Sequence, residues 1–325
     1  MRGKGIRVQD RSDDMRNIIV LPYASDTEIR RFLKIGYFLR RRDKNRCHFE
    51  FLLVNKNTVK PDKELAAVLN DLAPVRCYEP ETVLNSYPEG PDEVFWKAME
   101  YVSKVYEKDG GFALWLESDM LPKVPDWVDR LEREWKAYPG ILIMGLYFSQ
   151  KYLIKTGDRI AEHINGGACY SKDIFMAVPS LYKGKYFDVS LFPFIKKTKK
   201  FHASWLFRYS HMHSLLDDIQ DNRAVILHGY RQDKEKFISK AIEIIESPEA
   251  LEFEKNHLPT LPKKDRLCCD LAIFFGFVMD CPIHEKNTLL TSLKNNFLNL
   301  LYDLRIFYYY KKMRSCFSRI FRPGD

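Results

Sequence analysis

Two carboxylates one residue apart, Glu117 and Asp119, directly follow the apolar run Phe112-Ala113-Leu114-Trp115-Leu116. A hydrophobic strand ending in Glu117-Ser118-Asp119 delivers hard oxygen ligands to its open end. Such ligands suit Mg2+ or Mn2+, and a divalent ion held there can bridge a diphosphate and offset charge growing on a leaving group. Leu121-Pro122 then turns the chain away. The plainer reading is an acidic, solvated strand end. Further along, His228 follows the apolar run Val225-Ile226-Leu227. A neutral imidazole there completes a metal shell with Asp119, or is a satisfied polar group at a strand end. Arg231 and Lys234 lie just beyond it and can meet a diphosphate, Arg by forking onto phosphate oxygens.

These groups need a scaffold. Asn17-Ile18-Ile19-Val20-Leu21-Pro22-Tyr23 reads as a buried strand ended by a turn. Ser25 or Asp26 caps a helix with Ile29, Phe32, Leu33 and Phe38 at helical spacing. His48 to Val54 and Val75 to Tyr78 read as strands around a helix from Pro61 to Leu72. Pro91 opens a helix through Tyr106 with Val94, Phe95, Ala98, Val102 and Val105 on one face. After the turn Asp109-Gly110-Gly111 comes the acidic-ended strand, then a helix after Pro125 and a strand from Gly140 to Phe148. Strands alternating with helices predict an α/β fold: a mainly parallel sheet flanked by helices, with ligands beyond the carboxyl ends of its strands. Past about residue 240 helical patterns dominate, including the stripe Leu293, Phe297, Leu301, Leu304 and Phe307. The expected organisation is an arm over 1–16, an α/β domain over 17–239 and a helical extension over 240–325, with a soft boundary near Ser239.

In the order of its parts, from Asn17 to Asp233, the sequence resembles the nucleotide-sugar-dependent glycosyltransferases of the GT-A fold. Glu117-Ser118-Asp119 resembles that fold's DxD motif, with Glu for the first Asp. His163-Ile164-Asn165-Gly166-Gly167-Ala168-Cys169-Tyr170 resembles its later donor/acceptor segment, and Val225-Ile226-Leu227-His228-Gly229 the late strand bearing a metal-binding His. The resemblance implies a nucleotide-sugar donor, a glycan or lipid-linked glycan acceptor and Mn2+ or Mg2+. It makes Asp119 and His228 the metal ligands and Glu117, beside Ser118, a contact either to the ribose or to the groups that surround the metal ligands. Pro22, Tyr23 and Ser25 lie where a nucleotide base fits, with Tyr23 stacking on it or covering the sheet edge. Lys97 neutralises phosphate or contacts the base, while Phe95 and Trp96 read as core. Adjacent glycines allow close backbone approach, and Asn165 offers donor and acceptor to sugar hydroxyls; Asn165, Gly166 and Gly167 shape a sugar pocket or form an ordinary turn. Inverting transfer needs a general base, for which Asp218, Asp217 and Asp188 are candidates; the first two read equally as a solvated helix end.

The 325 residues hold 46% hydrophobic and 30% charged side chains, which excludes a wholly disordered chain. A formal charge of +8 suits phosphate, nucleic acid or an anionic membrane and does not choose among them. Residues 1–16 lack the apolar core of a secretory signal, and the longest apolar run, Leu271 to Met279, is too short to span a bilayer. Seven scattered cysteines without a CxxC pair read as reduced thiols of a cytosolic protein. The basic, aromatic stretch Tyr302 to Asp325 reads as a peripheral membrane anchor on an inner leaflet or as a packed helix. Lys183 to His213 interleaves lysines with aromatics and reads as a loop closing over donor or acceptor. No RNP, helix-turn-helix or zinc-finger pattern is present, so nucleic acid is not an expected partner. The expected setting is cell-surface polysaccharide or lipopolysaccharide assembly. The alternatives are a non-catalytic glycan- or membrane-binding protein on a degenerate transferase fold, and a sugar nucleotidyltransferase, whose glycine-rich basic loop is missing.

Overall fold

The structure, a computed structural model, describes residues 16–251 except 57–58, 82–83, 85–87, 107–108, 149–162, 185, 222 and 230–232. The first fifteen residues, Arg231 and everything past Leu251, including the basic stretch and the apolar run Leu271 to Met279, lie outside the described residues.

Strand β1 (Arg16–Tyr23) leads to α1 (Asp26–Arg42), β2 (His48–Asn55), α2 (Lys63–Asn70), β3 (Val75–Tyr78), α3 (Glu89–Val105) and β4 (Phe112–Trp115). Then come β5 (Met120–Pro122), α4 (Trp127–Ala137), β6 (Ile143–Gly145), β7 (Tyr147–Phe148), β8 (His163–Ile164) and β9 (Cys169–Ser171). The last part holds α5 (Ile174–Ala177), a 3-10 turn at Ser180–Tyr182, α6 (Phe187–Ser190), α7 (Phe192–Thr198), β10 (Phe201–Ala203), β11 (Phe207–Ser210), α8 (Leu215–Gln220), β12 (Ile226–Gly229) and α9 (Lys234–Ile245).

Seven strands form the central sheet in the order β10-β6-β9-β4-β1-β2-β3. Only β9 runs against its neighbours β4 and β6; the other pairings are parallel. The expected mainly parallel α/β sheet with flanking helices is therefore what the chain forms. The pleat explains the two covered faces. Ile19, Leu21, Phe51, Leu53, Phe112 and Leu114 meet a core that includes Phe32 and Phe38 of α1, Leu65 and Leu69 of α2, Trp127 of α4 and Phe237 of α9. On the other face Phe95 of α3 packs edge-on against Trp115 (5.2 Å between ring centroids) and Tyr170 (5.0 Å). Phe95 and Trp96 are buried, as core residues should be.

Local chemistry sets the connections. Ser25 caps α1 by accepting the Glu28 N–H, while the Glu28 carboxylate accepts the N–H of Ala24, the residue before the cap, at 2.7 Å. Gly36 lets α1 and α2 approach closely, because a Cβ there would meet Val68 at 3.0 Å. The single strand expected over Gly140–Phe148 is two. After Gly145 the chain leaves the central sheet, and Tyr147 and Phe148 pair with Ile164 and His163 instead. Gly145 is pressed against Ala168, where a Cβ would stand 2.6 Å from the alanine's. The boundary expected near Ser239 falls inside α9, whose Phe237, Ile238, Ala241 and Ile245 are buried in the core.

Candidate metal centre

Strand β4 ends at the centre of the large sheet, between β1 and β9. Leu116 still donates to the Val20 carbonyl (2.9 Å), and the next three residues form a turn closed by the Met120 N–H donating to the Glu117 carbonyl, also 2.9 Å. The turn passes the chain into a second, three-stranded sheet, β11-β12-β5. There β5 runs antiparallel to β12 with His228 opposite Met120, and the Gly229 N–H donates to the Asp119 carbonyl at 3.0 Å. Two sheets thus converge where the acidic triplet and His228 meet. Gly229 is required for the seat of α9: a Cβ would stand 2.9 Å from the Phe237 ring.

Glu117, Asp119 and His228 each bring one ligand atom into a group whose members all lie within 4.8 Å of one another. The His228 Nε2 is 3.5 Å from Glu117 Oε2 and 3.6 Å from Asp119 Oδ1. Both distances exceed a good hydrogen bond. Asp119 is 2% exposed, and its Oδ1 is buried with no hydrogen-bond partner. A buried carboxylate oxygen that has the imidazole 3.6 Å away but no hydrogen bond leaves room for a closer cation. Two carboxylates and an imidazole form a donor set that fits Mn2+ or Mg2+. The other Asp119 oxygen accepts from Lys234 Nζ at 2.8 Å, sent in from the start of α9.

The charges explain the titration behaviour. Burial alone would pull the His228 imidazole down, but the Asp119 and Glu117 carboxylates override it and raise it to about 9. Burial pushes Asp119 up, and His228 and Lys234 more than reverse that, holding it well below the usual carboxylate range. Without a metal ion the cluster is therefore a compensated set of two carboxylates, an imidazolium and an ammonium.

Other expected residues join this neighbourhood. A Cβ on Gly166 would stand 2.9 Å from the Phe187 ring and 3.3 Å from Glu117 Oε1, and one on Gly167 would stand 2.3 Å from Met120 Sδ. Both glycines are demanded by close packing around the acidic turn. Asn165 donates to the Tyr209 hydroxyl at 2.5 Å and accepts the Gly167 N–H at 3.1 Å. Tyr209 in turn stacks on His228, with centroids 4.7 Å apart. Asp188, at the start of α6, has Oδ2 3.8 Å from His163 Nε2. Burial raises its carboxyl, the charge of His163 draws it down and that of Glu117 raises it, with a net shift upward. Buried Asp92 of α3 fixes α6 by accepting the N–H groups of Tyr186 (2.7 Å) and Phe187 (2.9 Å), which holds Tyr186 at a positive φ of 55°.

Several expected residues are elsewhere. Asp218 is 2% exposed, but its carboxylate takes Arg208 Nε on Oδ1 (2.9 Å) and the hydroxyls of Ser210 (2.9 Å) and Ser214 (2.8 Å) on Oδ2. Tyr209, which faces His228, lies between Arg208 and Ser210 on β11. Pleating therefore turns Asp218's strand partners to the opposite face of the small sheet. Both oxygens are engaged by these partners, so the structure places Asp218 away from the cluster and gives it a structural set of bonds. Asp217 is exposed on α8. Tyr23 is 3% exposed and packs in the core facing α1 and α2, with burial pushing its phenol up to about 12; its ring is not open for stacking. Ser25 serves the α1 cap, and Pro22 lies at the end of β1. Lys97 donates to the Glu81 carbonyl and pairs with Glu93 at 3.3 Å, so it is tied to the loop before α3. Ser118 is buried within the acidic turn.

The sequence reading assigned no role to His163 or Tyr209. His163 stacks on Phe148 (5.1 Å), and Phe148 lies against Tyr209 (5.0 Å), so these rings line one side of the cluster. The available signal was the His opening the segment before Asn165-Gly166-Gly167.

No family model matches the chain, and no curated protein matches its sequence. Among solved structures it is similar to mouse xyloside xylosyltransferase 1 in the apo form, with 12% identity and a TM-score of 0.46, covering 67% of this chain and 98% of that one. It is also similar to the galactosyltransferase LgtC in complex with donor and acceptor sugar analogues (12%, 0.42, covering 77% and 99%). A third is the glycosyltransferase GlyE of Streptococcus pneumoniae TIGR4 in the apo form (11%, 0.44, covering 74% and 63%). At such identities these are likenesses of fold, and no residue role is transferred from them.

Proposed function

We propose that the chain is a glycosyltransferase that moves a sugar from a nucleoside diphosphate donor to a hydroxyl of a glycan acceptor. One observation carries the reading: Glu117, Asp119 and His228 converge within 4.8 Å at the exit of the central strand, with Asp119 Oδ1 buried and unpartnered. Asp119 and His228 would hold Mn2+ or Mg2+, with Glu117 as a third ligand or a ribose contact. A divalent cation bound there would offset the charge growing on the departing diphosphate.

The chain's own groups supply the rest. Lys234 reaches the cluster from α9 and is placed to pair with phosphate oxygens in exchange for Asp119. Arg231 is assigned to the same task from its sequence position. Gly166 and Gly167 let Phe187 and Met120 pack closely around the acidic turn, and Asn165 is locked beside them by Tyr209. Asp188 is the carboxylate favoured to take the acceptor's proton. It lies beside His163, and burial shifts its carboxyl upward, the direction that favours taking a proton. A lipid-linked or polysaccharide acceptor in cell-surface glycan assembly is the setting proposed.

Thermal melting with a panel of nucleotide sugars tests this. A ligand that binds only the native state raises Tm. One donor should raise it with Mn2+ present and fail to do so in Asp119→Ala. If no nucleotide sugar shifts Tm with or without Mn2+, the reading fails.

A further inference from the structure

Met176 is 68% and Leu181 77% exposed, the two highest values for large apolar side chains among the described residues. They stand five residues apart, on α5 and on the 3-10 turn Ser180–Tyr182. The surface around them is continuous. Lys183 Nζ lies 3.6 Å over the ring of Phe175, and the Tyr182 ring meets that of Phe194 on α7 at 5.4 Å. From Phe194 one helical turn reaches Lys197, and Lys196, Lys197, Lys199 and Lys200 are all exposed. Among the described residues, 173–200 hold five lysines (Lys183, Lys196, Lys197, Lys199 and Lys200) and two carboxylates, Asp173 at the start of α5 and Asp188, and Asp188 lies beside His163.

We propose that this face, from Met176 to Lys200, docks on an anionic phospholipid surface. Protruding Met and Leu side chains enter the headgroup boundary, and the lysines at the rim meet the negative leaflet. The chemistry favours lipid over single-stranded nucleic acid, which binds by stacking on open aromatic faces. Here Phe175 lies under Lys183 and Tyr182 packs on Phe194; Tyr186 is the one ring of the face that is largely exposed, at 47%, and the aliphatic Met176 and Leu181 are more exposed still. The residues of this face are distinct in sequence from the basic stretch at 302–325, and the proposal does not depend on the sugar-transfer reading. Vesicle binding neither supports nor damages the cluster assignment.

Co-sedimentation of the full chain with vesicles tests the proposal, using phosphatidylcholine alone and phosphatidylcholine with about a third phosphatidylglycerol. The full chain is expected to partition onto the anionic vesicles only. A lysine near such a surface is worth roughly fivefold in partition. Lys197→Glu with Lys200→Glu should therefore lower it by about twenty-fold or more, leaving the positive-φ position Lys199 untouched. Met176→Ser with Leu181→Ser, which changes no charge, should lower it by about fivefold or more. All four side chains are exposed, so an unchanged Tm shows that both variants fold. The proposal is overturned if the full chain ignores anionic vesicles or if both variants bind them like the parent. It is also overturned if the lysine pair abolishes binding to a single-stranded oligonucleotide while vesicle binding persists.

Discussion

Before His228 can ligate a metal ion, its imidazolium must lose a proton. Burial works against the charged ring, yet the adjoining Asp119 and Glu117 carboxylates raise it to about 9 in the metal-free protein. An imidazole nitrogen coordinates only when neutral. Binding of Mn2+ near pH 7 should therefore release close to one proton per ion. Apparent affinity there should be about a hundredfold below its limiting value, a factor of ten for each pH unit below 9. The sign is definite: affinity climbs as pH rises toward 9 and levels off above it. Titration calorimetry with Mn2+ in paired buffers of different ionisation enthalpy counts the protons directly, and repeating it near pH 6.5, 7.5 and 8.5 gives the slope. His228→Ala should abolish both the proton release and the slope while leaving weaker binding by the two carboxylates. Proton-neutral, pH-independent binding, or a slope that survives in His228→Ala, would refute the reasoning.

Three other substitutions probe the surroundings. Asp218→Asn should destabilise the fold by about 2–4 kcal/mol in urea unfolding, because it leaves the Arg208 guanidinium half-paired; the folded fraction should keep its activity, whereas a loss of kcat in folded protein would restore Asp218 as the base. Gly167→Ala should cost about 1–3 kcal/mol by pressing a methyl group onto buried Met120. Since the Met120 sulfur accepts the Glu117 N–H at 3.3 Å, Mn2+ affinity should fall with it, as calorimetry would show. Lys123→Met should cost about 2–3 kcal/mol, read as a lower urea midpoint, because the carbonyls of Asp218, Ile219 and Asp221 all accept from Lys123 Nζ.

The parallel core was legible because β1 and β4 carry short apolar runs bounded by turn residues and β2 carries one from Phe51 to Val54, the pattern of strands covered on both faces. The helices α1 to α4 carried their periodicity openly, and α1 and α2 their caps, Ser25 and Asp62. The three-stranded sheet was not legible. Its strands are three or four residues long, and Met120–Pro122 reads as a turn away from the sheet until Ile226–Gly229 arrives from a hundred residues on to pair with it. The cluster itself could be read, since an acidic triplet and a histidine each end an apolar strand. The fate of Asp218 could not, because it depends on pleat parity and on three partners recruited from β11 and the start of α8. Likewise, Tyr23 sits at a strand end where a base could lie. Only the packing of α1 and α2 shows that its ring is consumed by the core.

The most direct measurement is release of nucleoside diphosphate from a panel of nucleotide sugars by the purified full chain with Mn2+. Water should slowly substitute for the acceptor. The account predicts release from one donor, its loss with a chelator and restoration by added Mn2+, and at least a hundredfold reduction in Asp119→Ala (about 2.7 kcal/mol of barrier). Undiminished release by Asp119→Ala, or none from any donor, would contradict it.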